Sequence, residues 1–137
     1  LLGGAGIDNL FGGAGNDTIT GGDGADNLYG GAFDNAQDTF NINNVSEIGD
    51  QIFDFENTID TLDLSGLVPA GTFIAKGTSL GALAVPTTTS TVFGGLAIIG
   101  TGSTYQIVVA TWGGTSNIAY VVADVFTNID VADISIL

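Results

Sequence analysis

Along the first forty residues a large apolar side chain recurs every nine positions, at Leu1, Leu10, Ile19 and Leu28, and then at Phe40 after a longer interval. Each stands in a polar or glycine-rich setting. That spacing predicts very short strands, each turning one large side chain inward. Further on, the apolar pairs Phe40/Ile42, Ile52/Phe55 and Leu62/Leu64 are placed to close one end of whatever the repeats build. Residues 105–112 and 118–126 are apolar, β-branched runs separated by the turn-forming stretch 113–117, which predicts a hairpin. Residues 92–99, Ile134 and Ile136 suggest further strands. Phe73, Phe93, Trp112 and Tyr120 read as core or sheet residues rather than as a ligand platform. The predicted class is all-β.

The residues between the apolar positions repeat as well. Three blocks align without gaps, starting at Gly3, Gly12 and Gly21. A fourth begins at Gly30-Gly31-Ala32 and expands through Phe33-Asp34-Asn35-Ala36-Gln37 before Asp38-Thr39-Phe40. Glycine holds the first, second and fourth positions (Gly3, Gly4, Gly6; Gly12, Gly13, Gly15; Gly21, Gly22, Gly24; Gly30, Gly31), and aspartate the sixth (Asp8, Asp17, Asp26). Glycine in these places allows positive φ and tight turns that aim carbonyl oxygens inward. Each block then makes one turn and one strand, and two blocks complete one coil of a right-handed parallel β-roll. In that arrangement Asp8 stacks on Asp26. Asp17 stacks on Asp38, or on Asp34 if the inserted residues take over its role.

Charge sharpens this picture. The 137 residues carry 15 acids against one basic side chain, Lys76, for a formal charge of −14. Residues 1–64 hold 12 of the 15 acids, and the remainder are Asp124, Asp130 and Asp133. Stacked carboxylates without basic partners repel one another unless cations neutralise them. Calcium suits such a site, because it takes roughly 6–8 oxygens, mixing carboxylates and carbonyls, in flexible geometry. Magnesium demands a smaller octahedral shell and suits it less. With no Cys and no His, the chain lacks disulfides, thiol nucleophiles, histidine acid–base chemistry and the usual zinc ligands. Nucleic acid repels so acidic a chain, and no run of 18 or more apolar residues spans a membrane. The shift in composition near residues 65–66, followed by Pro69 and Gly71, divides the chain into a part at 1–65 and a β-rich part at 66–137.

The Gly-Gly-x-Gly-x-Asp blocks resemble the RTX (repeat-in-toxin) family of calcium-binding nonapeptide repeats in exported bacterial proteins. The resemblance implies a β-roll with several Ca²⁺ ions in its turns, capped by a C-terminal antiparallel sheet or sandwich. It implies ligand roles for the block glycines named above and for Asp8, Asp17, Asp23, Asp26, Asp34 and Asp38. The series at Asp50-Gln51-Ile52-Phe53-Asp54-Phe55 and Asp60-Thr61-Leu62-Asp63-Leu64-Ser65 is similar to the region after the β-roll in serralysin-type proteases and alginate-epimerase accessory modules. By that similarity Asp54, Asp60 and Asp63 bind one further calcium; otherwise they are solvated turn and strand-edge residues.

Three classes of function follow. The first is a non-catalytic, calcium-dependent folding and export module of a secreted protein, the C-terminal piece of a longer chain. Leu1 and Leu2 then end an earlier block, and the acid-then-apolar tail within residues 124–137 is a type I secretion signal read by the secretion machinery. The second is the C-terminus of a calcium-ordered surface-layer or adhesin protein, which self-assembles or holds a cell-surface glycan. The third is an enzyme or its accessory module. Against catalysis here, the chain has no Gly-x-Ser-x-Gly elbow and no His-Glu-x-x-His helix, so a protease, lipase or epimerase domain is expected upstream. An extracellular or cell-surface location fits all three.

Overall fold

The computed structural model describes residues 1–32, 34–43, 47, 49–66, 73–77, 95–101, 104–112, 117–125 and 133–135. Phe33, Pro69, Gly71, Phe93, turn residues 113–116, and residues 126–132, 136 and 137 of the tail region lie outside the described residues. So do the side chains of Phe73, Trp112 and Tyr120.

Nine residues are too few for a strand, a turn and a second strand, so each block supplies a single short strand and hands the chain to the opposite side. The strands are β1 (Leu2–Ala5), β2 (Asn9–Phe11), β3 (Thr18–Asp23), β4 (Asn27–Tyr29), β5 (Thr39–Asn41), β6 (Asp50–Ile52) and β7 (Thr61–Asp63). Odd and even strands separate into two sheets, ordered β1-β3-β5-β7 and β2-β4-β6, with every neighbour parallel. The chain is therefore an all-β parallel roll, with two blocks to each coil. Leu2 pairs with Thr20 and Asn9 with Asn27, the eighteen-residue coil that the spacing predicts.

The inward row fills the space between the sheets. Ile19, Leu28, Phe40, Ile52 and Leu62 are fully buried, and so are Ile42 and Leu64, while Phe55 is 2% exposed. The three apolar pairs, expected to close one end, are thus core residues from β5 onward. At the near end Leu10 is only partly buried, and Leu1, Leu2, Ile7 and Phe11 are exposed. On the outer face of the even sheet, Phe11 stacks on Tyr29 at 4.6 Å between ring centroids and Tyr29 on Phe53 at 4.8 Å, nearly parallel in both cases. Those distances equal the spacing of neighbouring strands, about 4.7–4.9 Å, so in-register aromatic residues stack without distorting the backbone. Asn27 likewise donates its Nδ2–H to Asn9 Oδ1 at 3.0 Å.

The C-terminal strands are β8 (Phe73–Gly77), β9 (Gly95–Thr101), β10 (Thr104–Trp112), β11 (Asn117–Val125) and β12 (Ile134–Ser135). The predicted hairpin is present: β10 pairs antiparallel with β11 and with β9. This sheet is not a separate layer. β11 runs parallel to β6 and continues the even sheet, giving the order β2-β4-β6-β11-β10-β9-β8, with β8 parallel to β9. β12 extends the odd sheet by pairing parallel with β7. Strands from both sides of residues 65–66 therefore share both sheets. The buried Val125 and Ile134 belong to the same core as Phe40, and Tyr105 packs against it.

Because Phe40 lies mid-roll with no exposure, Phe40→Ala is expected to cost about 3–5 kcal/mol of unfolding free energy. Phe11→Ala, which loses one exposed ring stack, is expected to cost no more than about 1.5 kcal/mol. Denaturant unfolding of both variants in calcium-containing buffer measures the difference; equal losses would contradict this account of the core.

Candidate cation site

The block aspartates stand immediately before or at the start of their strands, and their side chains reach backward along the roll. Asp8 donates its backbone N–H to Asp26 Oδ1 at 2.8 Å, and Asp26 donates its own to Asp50 Oδ1 at 2.9 Å. On the opposite edge Asp17 donates to Asp38 Oδ1 and Asp38 to Asp60 Oδ1, both at 2.9 Å. Two carboxylate ladders result, Asp8–Asp26–Asp50 and Asp17–Asp38–Asp60. In every rung one oxygen is held by a backbone N–H, and the register is that of the strands that follow.

The glycines divide their work differently from the expectation. The second and fourth positions do take positive φ, as at Gly4 (117°) and Gly15 (94°). The first position does not: Gly3, Gly12, Gly21 and Gly30 are absent from the positive-φ set. There glycine is required for space. A Cβ on Gly3 would lie 2.5 Å from the Gly21 carbonyl oxygen and 2.9 Å from Asp8 Oδ2. One on Gly12 would lie 2.5 Å from the Gly30 carbonyl oxygen and 2.9 Å from Asp17 Oδ2. A carbonyl oxygen of one coil and a carboxylate oxygen of its neighbour thus converge beside Gly3 and beside Gly12. The glycine carbonyls of the earlier coil also face the next, with Gly4, Gly6 and Gly13 directed at Gly22, Gly24 and Gly31.

The insertion in the fourth block resolves the choice between Asp34 and Asp38. Asp38 continues the ladder, whereas the exposed Asp34 accepts N–H groups from Gly15 (3.0 Å) and Ala36 (2.9 Å). These backbone donors, Ala36 foremost, hold the Asp34 carboxyl below its ordinary range. Asp54 receives Gly30 N–H on Oδ1 (2.8 Å) and Gly31 N–H on Oδ2 (3.1 Å). Asp60 belongs to a ladder and also accepts Glu56 N–H at 2.7 Å, while Asp63 accepts Ser65 N–H in a local turn. Asp54, Asp60 and Asp63 therefore take three separate hydrogen-bonding roles. Asp23 is exposed at the end of β3, and its carbonyl accepts the Gly6 N–H. Among the described residues no three carboxylates gather as a metal-binding group. Carbonyl oxygens would have to complete any shell, as the convergence at Gly3 and Gly12 allows.

Sequence reasoning left Asp50 and Glu47 out of the candidate ligands. The signal for Asp50 was present: Asp-x-apolar, as in Asp8-Asn9-Leu10 and Asp26-Asn27-Leu28, persists in Asp50-Gln51-Ile52 after the glycines are lost. Both residues are buried, Asp50 completely and Glu47 to 3% exposure. Burial pushes the Asp50 carboxyl up to about 7, with the charges of Asp26 and Glu47 adding to the effect. Burial raises Asp60 to about 6, and it raises Asp38 and Glu47 as well. Asp26 Oδ2 and Asp50 Oδ2 are buried and accept no hydrogen bond. The orphaned carboxylate oxygens at Gly21, like the carbonyl and carboxylate oxygens at Gly3 and Gly12, are oxygen donors only, which fits a hard cation such as calcium.

A pH dependence follows for the metal-free roll. Between the ordinary carboxyl range near 4 and the raised values of Asp50 and Asp60, the folded chain binds more protons than the unfolded chain. Its stability therefore falls as pH rises through that window. The calcium-free chain is expected to retain more β-signal at pH 5 than at pH 8. With calcium in excess the order is expected to reverse, since protons compete for the same oxygens. A calcium-free β-signal that grows with pH would contradict the burial of these two carboxyls.

A family model of the RTX calcium-binding nonapeptide repeat, in four copies, matches residues 2–36. No curated protein matches the chain significantly. The matched segment contains the first three strands, β4, and the glycine turns whose carbonyls and aspartates converge. Residues 2–36 are RTX calcium-binding nonapeptide repeats, and the parallel β-roll described above is the structure that such repeats form.

Proposed function

We propose that this chain is a non-catalytic folding and export module of a secreted bacterial protein, in which calcium switches the roll from open to wound. The observation that supports it best is the pair of aspartate ladders. They align carboxylates coil upon coil in a chain whose only basic side chain is Lys76. Bound calcium supplies the positive charge that this array lacks. Asp8, Asp17, Asp26 and Asp38, with the first-position glycine carbonyls, are the groups that would hold it.

Without the cation, carboxylate repulsion and the conformational entropy of the glycines favour the open chain. Where calcium is abundant, binding to the wound form alone shifts the equilibrium. Each site adds about 2.7 kcal/mol when calcium is roughly 100 times its dissociation constant. Extracellular calcium modules often bind at about 10⁻⁴–10⁻³ M, which ties winding to the compartment. Residues 1–65 carry the calcium response in this reading, and residues 66–137 seal the far end. The tail within 124–137 is recognised by a type I secretion system while unfolded; Asp133, Ile134 and Ser135 then join the roll beside β7, which fits a signal used before folding. A catalytic domain, if the parent protein has one, lies upstream.

Circular dichroism during calcium titration tests this. β-signal is expected to grow with calcium and to vanish on adding EDTA. Asp17→Ala, which removes one ladder rung, is expected to shift the midpoint to higher calcium. An unchanged titration in that variant would remove Asp17 from the ligands, and a fully wound chain in EDTA would remove the switch. Hydrolytic turnover by the isolated chain would count against the non-catalytic reading.

A further inference from the structure

The family match ends at residue 36, but the acidic ladder does not. The last rung on the even edge joins the turn of the third block to a segment without its glycine pattern, residues 47–50. Asp26 and Asp50 are both fully inaccessible, and each has an Oδ2 that accepts no hydrogen bond. The two oxygens flank one point. A Cβ built on Gly21 would collide with Asp26 Oδ2 and lie 3.0 Å from Asp50 Oδ2. Beside Gly3 the equivalent point is lined by one carboxylate and one carbonyl oxygen; here two carboxylates line it. Glu47, itself 3% exposed and anchored by the Asn43 N–H on its Oε2 at 2.8 Å, adds its charge to both aspartates.

Neutral filling of this point is disfavoured on several counts. Two unpaired buried carboxylate oxygens cost far more than two hydrogen-bonded ones. No side chain can stand at Gly21 to separate the two oxygens, because a Cβ there would collide with Asp26 Oδ2. Lys76 is the chain's one basic side chain, and the terminal amine is engaged by the Thr18 carbonyl. A divalent cation supplies charge and coordination together, and an oxygen-only environment selects a hard one.

We propose that Asp26 and Asp50 bind a calcium ion beside Gly21, with Glu47 strengthening the site by its charge, so that the cation array extends past the repeats into the closing segment. This rests on the calcium reading of the roll. It means that the segment closing the roll is itself fastened by metal, so that closure and repeat winding respond to one signal.

The test is equilibrium dialysis of the complete 137-residue chain against Ca²⁺, with bound ions counted by elemental analysis. Asp50→Asn keeps Oδ1 as the acceptor for the Asp26 N–H and removes the charge. It is expected to bind one ion fewer than the unmodified chain while retaining its calcium-induced β-signal. Glu47→Gln is expected to keep the number of ions and weaken one of them. Asp17→Asn, on the opposite ladder, is expected to lose binding independently, so that Asp17→Asn with Asp50→Asn loses more than either alone. If the unmodified chain binds calcium and Asp50→Asn binds the same number with the same affinity, the Gly21 site is refuted while the repeat sites stand. If the unmodified chain binds none, the calcium reading and this site fall together. Should Asp50→Asn not fold, unchanged affinities in Glu47→Gln overturn the proposal instead.

Discussion

Everything in this roll depends on carboxylates stacked one coil apart. Asp26, Asp38, Asp50 and Asp60 each accept, on one oxygen, the N–H of the counterpart in the preceding coil, which fixes the side chain. A carboxylate held by a backbone N–H is favoured in its charged form. The second oxygens of Asp26, Asp38 and Asp50 lie beside first-position glycines, and at Asp26 and Asp50 that oxygen has no donor at all. The same geometry that orders the turns therefore concentrates charge that the protein itself does not neutralise. Hydrogen bonding favours winding and electrostatic repulsion opposes it.

The apolar interior answers a different need, which is register. One slipped residue would turn Ile19, Leu28 or Phe40 outward. The stacked rings of Phe11, Tyr29 and Phe53 and the Asn9–Asn27 pair enforce the same alignment on the outside. Register in turn places each aspartate over the next. The coil length then matters little: Leu2 pairs eighteen residues ahead with Thr20, Thr18 twenty-one ahead with Thr39, and Asn27 twenty-four ahead with Gln51. The added residues do not shift the pairing, and the Asp-x-apolar unit keeps its place in the ladder.

Closure of the far end relies on strands distant in sequence. β11 adds to the even sheet at β6 and β12 to the odd sheet at β7. Asp133 meanwhile accepts the N–H of Thr58, a non-glycine residue with φ of 71°. The terminal coil is thus covered on both sheets, and its buried acids Asp50 and Asp60 sit beneath strands that bring no basic partner among the described residues.

Local chemistry was enough to fix the repeat, the short strands, the two-block coil and the pair Asp8–Asp26, and it left Asp17 to pair with Asp38 or Asp34. A nine-residue period is visible wherever glycine, aspartate and a large apolar residue keep phase. The sequence also marked Phe40/Ile42, Ile52/Phe55 and Leu62/Leu64 for burial, although Phe40 lies mid-roll and β11 and β12 extend the sheets past β6 and β7. Three things were decided only in three dimensions. First-position glycines serve close approach and not backbone turning, since only the neighbouring coil brings an oxygen to that point. Asp50 and Asp60 became ladder members and Asp54 a clasp on Gly30 and Gly31, because loops of unequal length hide a shared register from linear spacing. The C-terminal strands extended both sheets edge to edge, since open strand edges are hydrogen-bonding surfaces whose partner no local pattern names.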